Sequence, residues 1–163
     1  MLSKCVNPAR LAKRSSCAFR EAYHCAAESR TTNSAAKVEK KVEEQLASIT
    51  PLLASASIDS GAKVFKKCAA CHNIDKGGAN KVGPGLWGIV NQKVGAVEGF
   101  KYSAALSGYG KNWTFEELNG FLHKPMKYIK GTKMGFAGLK KDQDRANVIA
   151  YMNSKSDAPA PLK

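Results

Sequence analysis

Long hydrophobic runs are missing from this chain of 163 residues: Val148 to Met152 is among the longest, whereas a membrane helix needs roughly 18 or more apolar residues. No segment is therefore expected to span a bilayer. Sustained alternation of apolar and polar residues is also scarce, which argues against a fold built on sheets. Acidic residues are few, 13 against 26 Lys and Arg, so the net charge is +13 and the partner surface is expected to be negative: acidic protein, anionic lipid or nucleic acid. Nothing repeats internally, which excludes solenoids and arrays.

The 44% hydrophobic and 24% charged residues are the composition of a soluble globular protein, and the length suits one core with an appendage. The charge is unevenly placed. Residues 1–60 carry 9 basic and 6 acidic side chains, and residues 61–163 carry 17 and 7, so the positive field belongs to the folded part.

Residues 1–34 hold no acid before Glu21 and contain Cys5, Cys17 and Cys25 without a hydrophobic period; they read as a poorly ordered basic leader. The composition is loosely that of an organellar transit peptide, and the apolar core of roughly 7–15 residues found in a secretory signal is not there. Residues 35–58 read as a charged tether with a short amphipathic helix, since Val38, Val42, Leu46 and Ile49 share a helical stripe that Thr50-Pro51 should stop. A compact domain is expected over 59–156, followed by an exposed tail, 157–163.

Within the domain, Asp59 or Ser60 can cap a first helix through Val64, Phe65 and Ala69. Thr114 and Glu117 have capping-box spacing and open a second, ended by Pro125. A third runs from about Lys141 to Lys155, with Val148, Ile149, Tyr151 and Met152 as its buried stripe. The long glycine-rich loops between these helices need something inside them to pack on, and a large apolar cofactor meets that need.

The decisive motif is Cys68-Ala69-Ala70-Cys71-His72, the C-x-x-C-H pattern of c-type haem attachment. Two thiols at this spacing can form thioethers with the haem vinyl groups, and the adjacent imidazole can bind the iron. A zinc half-site is the first alternative, but the domain offers only His123 as a further ligand and no other cysteine. A redox dithiol is the second, but it belongs in a βαβ setting that this sequence lacks. For the other face of the iron, Met134 is best placed, on the glycine-rich loop Gly131 to Gly138. Met126, beside Pro125, is the weaker candidate, and Met152 reads as helix packing.

These residues resemble class I cytochrome c over about 59–156. The likeness rests on Gly61, Phe65, Cys68, Cys71, His72, Lys76-Gly77-Gly78, Val82-Gly83-Pro84, Leu86, Gly99-Phe100, Tyr102, Ser103, Trp113, Tyr128, Gly131-Thr132-Lys133-Met134, Phe136-Ala137-Gly138 and Ile149-Ala150-Tyr151. The charged tether before the domain is most like the membrane-anchored cytochromes c of alphaproteobacteria.

The resemblance implies an all-α fold of three to five helices around one haem c, with Gly61 and Phe65 of the first helix meeting Tyr151 of the last. It implies that the Pro84 carbonyl fixes the His72 ring, that His72 and Met134 bind the iron, and that Leu86, Leu122, Phe136 and Met152 line the haem. It further implies that Tyr102 and Trp113 bond the propionates, with Thr132 also at the cofactor, and that Lys67, Lys127, Lys130, Lys133, Lys140 and Lys141 ring the exposed haem edge. Four positions depart from the family pattern: Lys130 stands for a common proline, Phe121 for a tyrosine, Leu106 for an asparagine and Gln92 for an arginine. Each removes a rigid or polar element near the haem.

The function implied is one-electron carriage between a cytochrome bc1-type reductase and a cytochrome c oxidase, at the periplasmic face of the inner membrane or, alternatively, in the mitochondrial intermembrane space. No nucleic-acid partner is expected, and residues 1–58 are the candidate segment for membrane-surface association. The rival reading is an enzyme: a haem whose methionine leaves easily gains peroxide reactivity, and Lys130 in place of proline would loosen that loop.

Overall fold

The computed structural model describes residues 46–162. The expected leader, the leader residues Cys5, Cys17 and Cys25, and the tether up to residue 45 lie outside them. Among the described residues six helical segments follow one another: α1 Thr50–Leu53, α2 Ile58–Ala69, α3 Ala104–Ser107, α4 Phe115–His123, α5 Pro125–Tyr128 and α6 Asp142–Ser154. Three are substantial and three are single turns. Among the described residues extended pairing is limited to one isolated bridge, Lys93 with Asn112, so the fold is all-α. No helix of the described residues is long and apolar enough to cross a membrane.

The boundaries follow from capping chemistry. Helix α2 begins at Ile58 because Ser57, two residues before the expected cap, accepts a hydrogen bond from the Ser60 amide at 3.2 Å through its hydroxyl. Thr114 caps α4 in the same way, accepting from the Glu117 amide at 3.2 Å. Pro125 does end α4, yet it then serves as the first residue of α5, where its missing N–H costs nothing.

The centre of the fold is the crossing of α2 with α6. A Cβ on Gly61 would lie 2.1 Å from the Asn147 carbonyl oxygen and 2.7 Å from Tyr151 Cβ, so only glycine lets the backbones approach this closely. One turn on, the Phe65 and Tyr151 rings meet at 5.4 Å. Helix α6 is more than the one-sided stripe read from its sequence: Arg145 through Ala150 are all buried, while Tyr151 is only partly so. It lies between α1, α2 and α4, which leaves little of it to solvent.

The described part of the expected tether is not free. Ile49 and Leu53 are each 1% exposed and belong to the main core, and Thr50-Pro51 starts α1 rather than stopping a helix. Proline punctuates from either side: inside a helix it breaks, and at the first position it initiates. The backbone amides of Ile49 and Thr50 bond the Glu116 carboxylate of α4 at 2.9 and 3.3 Å, and the Ser57 amide bonds Asn147 Oδ1 at 2.9 Å. At the other end, Asp157 to Pro159 are exposed, but the tail is tied back. Asn153 donates to the Ala160 carbonyl at 2.8 Å and accepts from its amide at 3.0 Å, and Lys76 pairs with Asp157 at 2.6 Å.

Candidate haem site

The C-terminal turn of α2 delivers the motif. Cys68 is half-buried on the helix and Cys71 exposed just beyond it. The Cys71 and His72 amides bond the Cys68 carbonyl at 3.0 and 2.9 Å, so the chain keeps turning and carries the imidazole past the helix end. Burial pushes the Cys68 thiol above its ordinary value, against a downward pull from Lys67 and with a smaller upward push from Cys71.

His72 is held on both sides. Its Nδ1 lies 2.8 Å from the Pro84 carbonyl oxygen, which fixes the ring with Nδ1 as donor and directs the basic lone pair to Nε2. A Cβ on Gly83 would lie 2.3 Å from His72 Cε1, so this glycine is a cradle that admits the ring. Burial lowers the pKa of His72, the Pro84 hydrogen bond opposes it, and Lys81 lowers it further. The neutral imidazole, the form that binds a metal, is favoured.

Met134 is partly buried against the core. Its loop is stitched at one end by the Thr132 amide on the Ile129 carbonyl and by Thr132 Oγ1 accepting from the Met134 amide, at 3.1 and 3.2 Å. At the other end the Leu139 amide bonds the Leu122 carbonyl at 2.8 Å. Gly138, with φ +93°, lies where a Cβ would be 2.0 Å from the His123 carbonyl oxygen. By contrast Met126 is 63% exposed on α5 and Met152 4% exposed on α6.

The remaining residues named from the sequence divide in two. Leu86 and Phe136 are partly buried apolar groups packed on the core, so each keeps surface that a flat apolar ligand would cover. Trp113, Leu122 and Met152 are buried in the core itself and Thr132 is likewise buried. The Trp113 ring packs on Phe121 at 4.9 Å, so the phenyl group at this departure from the family pattern is absorbed into the core. Tyr102 is partly buried with its ring edge-on to Phe100 at 4.9 Å. Burial raises its pKa, and a backbone hydrogen bond from Val97 works against that. Lys67, Lys127, Lys130, Lys133, Lys140 and Lys141 are all exposed, and among the described residues none forms an ion pair, unlike Lys76 and Lys111.

The donor set discriminates between the metal readings. Among the described residues no three His, Cys, Asp or Glu side chains come together to hold an ion, and His123, the one spare zinc ligand, has its Nδ1 3.2 Å from an Arg145 nitrogen. What is present fits a haem: paired thiols, a clamped imidazole and partly covered apolar side chains.

Two clusters were not read from the sequence. Arg145 has no exposed surface and donates to Asn119 Oδ1 and the Leu139 carbonyl, each at 2.7 Å, to the Lys140 carbonyl at 3.0 Å, and to Asp142. Glu117, also buried, accepts from Tyr109, Tyr128 and Lys111 at 2.8, 2.9 and 2.7 Å. The Glu117 capping-box spacing was visible, but its partners are set by the tertiary fold.

Comparison with known proteins gives one consistent result. The cytochrome c family model matches residues 58–156. A cytochrome c homolog of Bradyrhizobium diazoefficiens is 52% identical over 115 residues, 70% of this chain and 62% of that protein. One from Rickettsia prowazekii is 40% identical over 132 residues, 81% and 74% of the two chains. The chain thus spans about three fifths of the length of the Bradyrhizobium relative. Among solved structures, cytochrome cH from Methylobacterium extorquens matches with a TM-score of 0.58 and 38% identity, covering 61% of this chain and all of that one. Proteins of this family carry one covalently bound haem c with its iron and are electron-transfer proteins rather than enzymes. The matched segment is the one that contains the paired thiols, the clamped histidine and the methionine loop, and this chain belongs to the class I cytochrome c family.

Proposed function

We propose that this protein is a single-electron carrier whose haem c is attached through Cys68 and Cys71 and bound axially by His72 and Met134. The observation that carries this reading is the His72 clamp, with Nδ1 engaged by Pro84 and Gly83 leaving room for the ring. When bound, the haem supplies an iron that cycles between two oxidation states. With the His72 imidazole and the Met134 thioether both given to the iron, no position would be left for a substrate, and sulfur ligation would raise the potential relative to two histidines. Pro84 holds the imidazole at one orientation, while Thr132, Leu139 and Gly138 anchor the loop that presents Met134. Leu86 and Phe136 add apolar cover, and Tyr102 and Trp113 are the candidates for the propionates.

The exposed lysines Lys67, Lys127, Lys130, Lys133, Lys140 and Lys141 would face acidic docking patches on a bc1-type reductase and a cytochrome c oxidase. Their unpaired charge supports fast, weak and salt-sensitive encounters. Maturation of such a haem places the protein in an extracytoplasmic compartment, with the periplasmic face of the inner membrane preferred over the mitochondrial intermembrane space. Of residues 1–58, the segment expected to associate with a membrane surface, 49–57 are engaged with the domain, so that role falls to the chain before residue 46.

The test is an optical spectrum of protein made with a c-type maturation system. Low-spin features together with the weak long-wavelength band of sulfur-ligated ferric haem are expected, and Met134→Ala should abolish that band while leaving the haem attached. A high-spin spectrum in the unmodified protein would overturn the ligand assignment and bring peroxide chemistry forward.

A further inference from the structure

The segment just upstream of the family match is bonded into the anchor of the methionine loop. The Ala47 carbonyl accepts from Asn119 Nδ2 at 3.1 Å. The other end of that amide, Oδ1, accepts from Arg145 Nε at 2.7 Å, and Arg145 in turn holds the Leu139 and Lys140 carbonyls at 2.7 and 3.0 Å. Leu139 is the residue after Gly138, where the loop bearing Met134 rejoins the core. Beside this line, Glu116 binds the amides of Ile49 and Thr50 and both hydroxyls of Ser48 and Thr50, and it also accepts from Asn119 at 3.4 Å. Ile49 and Leu53 seal the segment onto the core.

We propose that residues 46–57 are a clasp that sets how firmly Met134 is held, with Asn119 and Arg145 as positioning residues between them. Asn119 has one amide with two ends: its donor end reads the position of the upstream segment and its acceptor end orients the guanidinium. Seating the clasp therefore orders Asn119, and Asn119 orders the group that anchors the loop. Release of the segment leaves Asn119 free to rotate and removes one of the fixed partners of Arg145. The charged chain before residue 46 is attached directly to this clasp, so whatever fixes or pulls that chain acts on the loop that carries the sulfur. The inference rests on Met134 being the iron ligand.

The test uses the full-length haem protein carrying Glu116→Ala, which releases Ser48 to Thr50 without touching Arg145, and compares it with Asn119→Ala and the double variant. Two readouts are followed: the rate at which added imidazole replaces the sulfur on ferric iron, and amide hydrogen exchange at Leu139. Loss of charge-assisted bonds to a carboxylate of this kind should accelerate both by about fivefold. In the Asn119→Ala background Glu116→Ala should add almost nothing, because the connection is already cut. Glu116→Gln, which retains an acceptor oxygen, should restore most of the slow rate. Equal rates in Glu116→Ala and the unmodified protein, or strictly additive effects in the double variant, would overturn the clasp while leaving Met134 as ligand. A sulfur band absent from the unmodified protein would bring down the ligand assignment and the clasp together.

Discussion

Where α6 crosses α2 and α4, Val148 and Ile149 have no exposed surface and even the guanidinium of Arg145 is enclosed with polar partners. On the loops that carry the proposed cofactor residues, Leu86, Met134 and Phe136 are only partly buried against the same core. Several of the turns there rest on glycine at positive φ, including Gly131 and Gly138. One region completes its packing and hydrogen bonding within the chain. The other leaves apolar side chains and a clamped imidazole partly uncovered, the surface to which the proposed function assigns the haem. This division explains how a domain of this size can devote long loops to a cofactor: the helix crossing supplies a frame that is already stable, and the loops need only be anchored to it at their ends.

The sharpest way to break that division is to open the frame at Arg145, because its side chain serves both regions. Arg145→Ala should cost about 3–5 kcal/mol, since it strands the Leu139 and Lys140 carbonyls and Asn119 Oδ1 in a buried site. Thermal unfolding of the haem-loaded protein measures this. Arg145→Lys should recover only a part, as an ammonium cannot reproduce a planar fork that reaches four acceptors. A loss below about 1 kcal/mol would mean that the frame and the loop are anchored independently of this residue.

The sequence made the cofactor region far more legible than the frame. Cys68, Cys71 and His72 lie within five residues, and the Met134 loop advertises itself by its glycines, because both kinds of chemistry are local. Gly61, Phe65 and Tyr151 came from family resemblance, and the crossing is as implied. The frame, however, is finished by bonds between residues far apart, such as Ala47 with Asn119 and Ile49 with Glu116. No periodicity encodes these. Arg145 reads as one more surface cation until its acceptors are assembled around it. Thr50-Pro51 misleads for a different reason, since a proline gives the same sign at a helix end as at a helix start.

A smaller effect separates the clasp from the rest of the frame by pH. Burial raises the pKa of Glu116, but hydrogen bonds from Ser48, Thr50 and Asn119 outweigh this and leave it below its ordinary 4.5. The ionised form is thus favoured in the folded state, so its stabilisation is complete above about 4.5 and is lost as pH falls through the depressed value. The protection of the Ile49 and Thr50 amides against hydrogen exchange, taken relative to the intrinsic rate at each pH, should fall across that acidic window before the α2–α6 crossing opens. The stability at stake is under about 1 kcal/mol, because the carboxylate is substantially solvated. Simultaneous loss of both would make the clasp and the crossing a single cooperative unit.

The smallest effect on stability falls at the exposed lysines, where the consequence for function is expected to be largest relative to the structural disturbance. Lys133 is exposed and has no ion-pair partner among the described residues. Lys133→Glu should therefore change stability by no more than about 0.5 kcal/mol. It stands beside Met134 on an exposed loop, so under the proposed docking its charge would act on the encounter with an acidic partner rather than on the fold. Electron transfer to an oxidase should slow at low ionic strength, and the difference from the unmodified protein should shrink as salt is added. Kinetics measured across ionic strength, with the visible spectrum as control, decide the matter. Equal rates at low salt would remove Lys133 from the docking surface, whereas a changed spectrum would show that the substitution had reached the loop itself and that frame and cofactor region are less separable than their packing suggests.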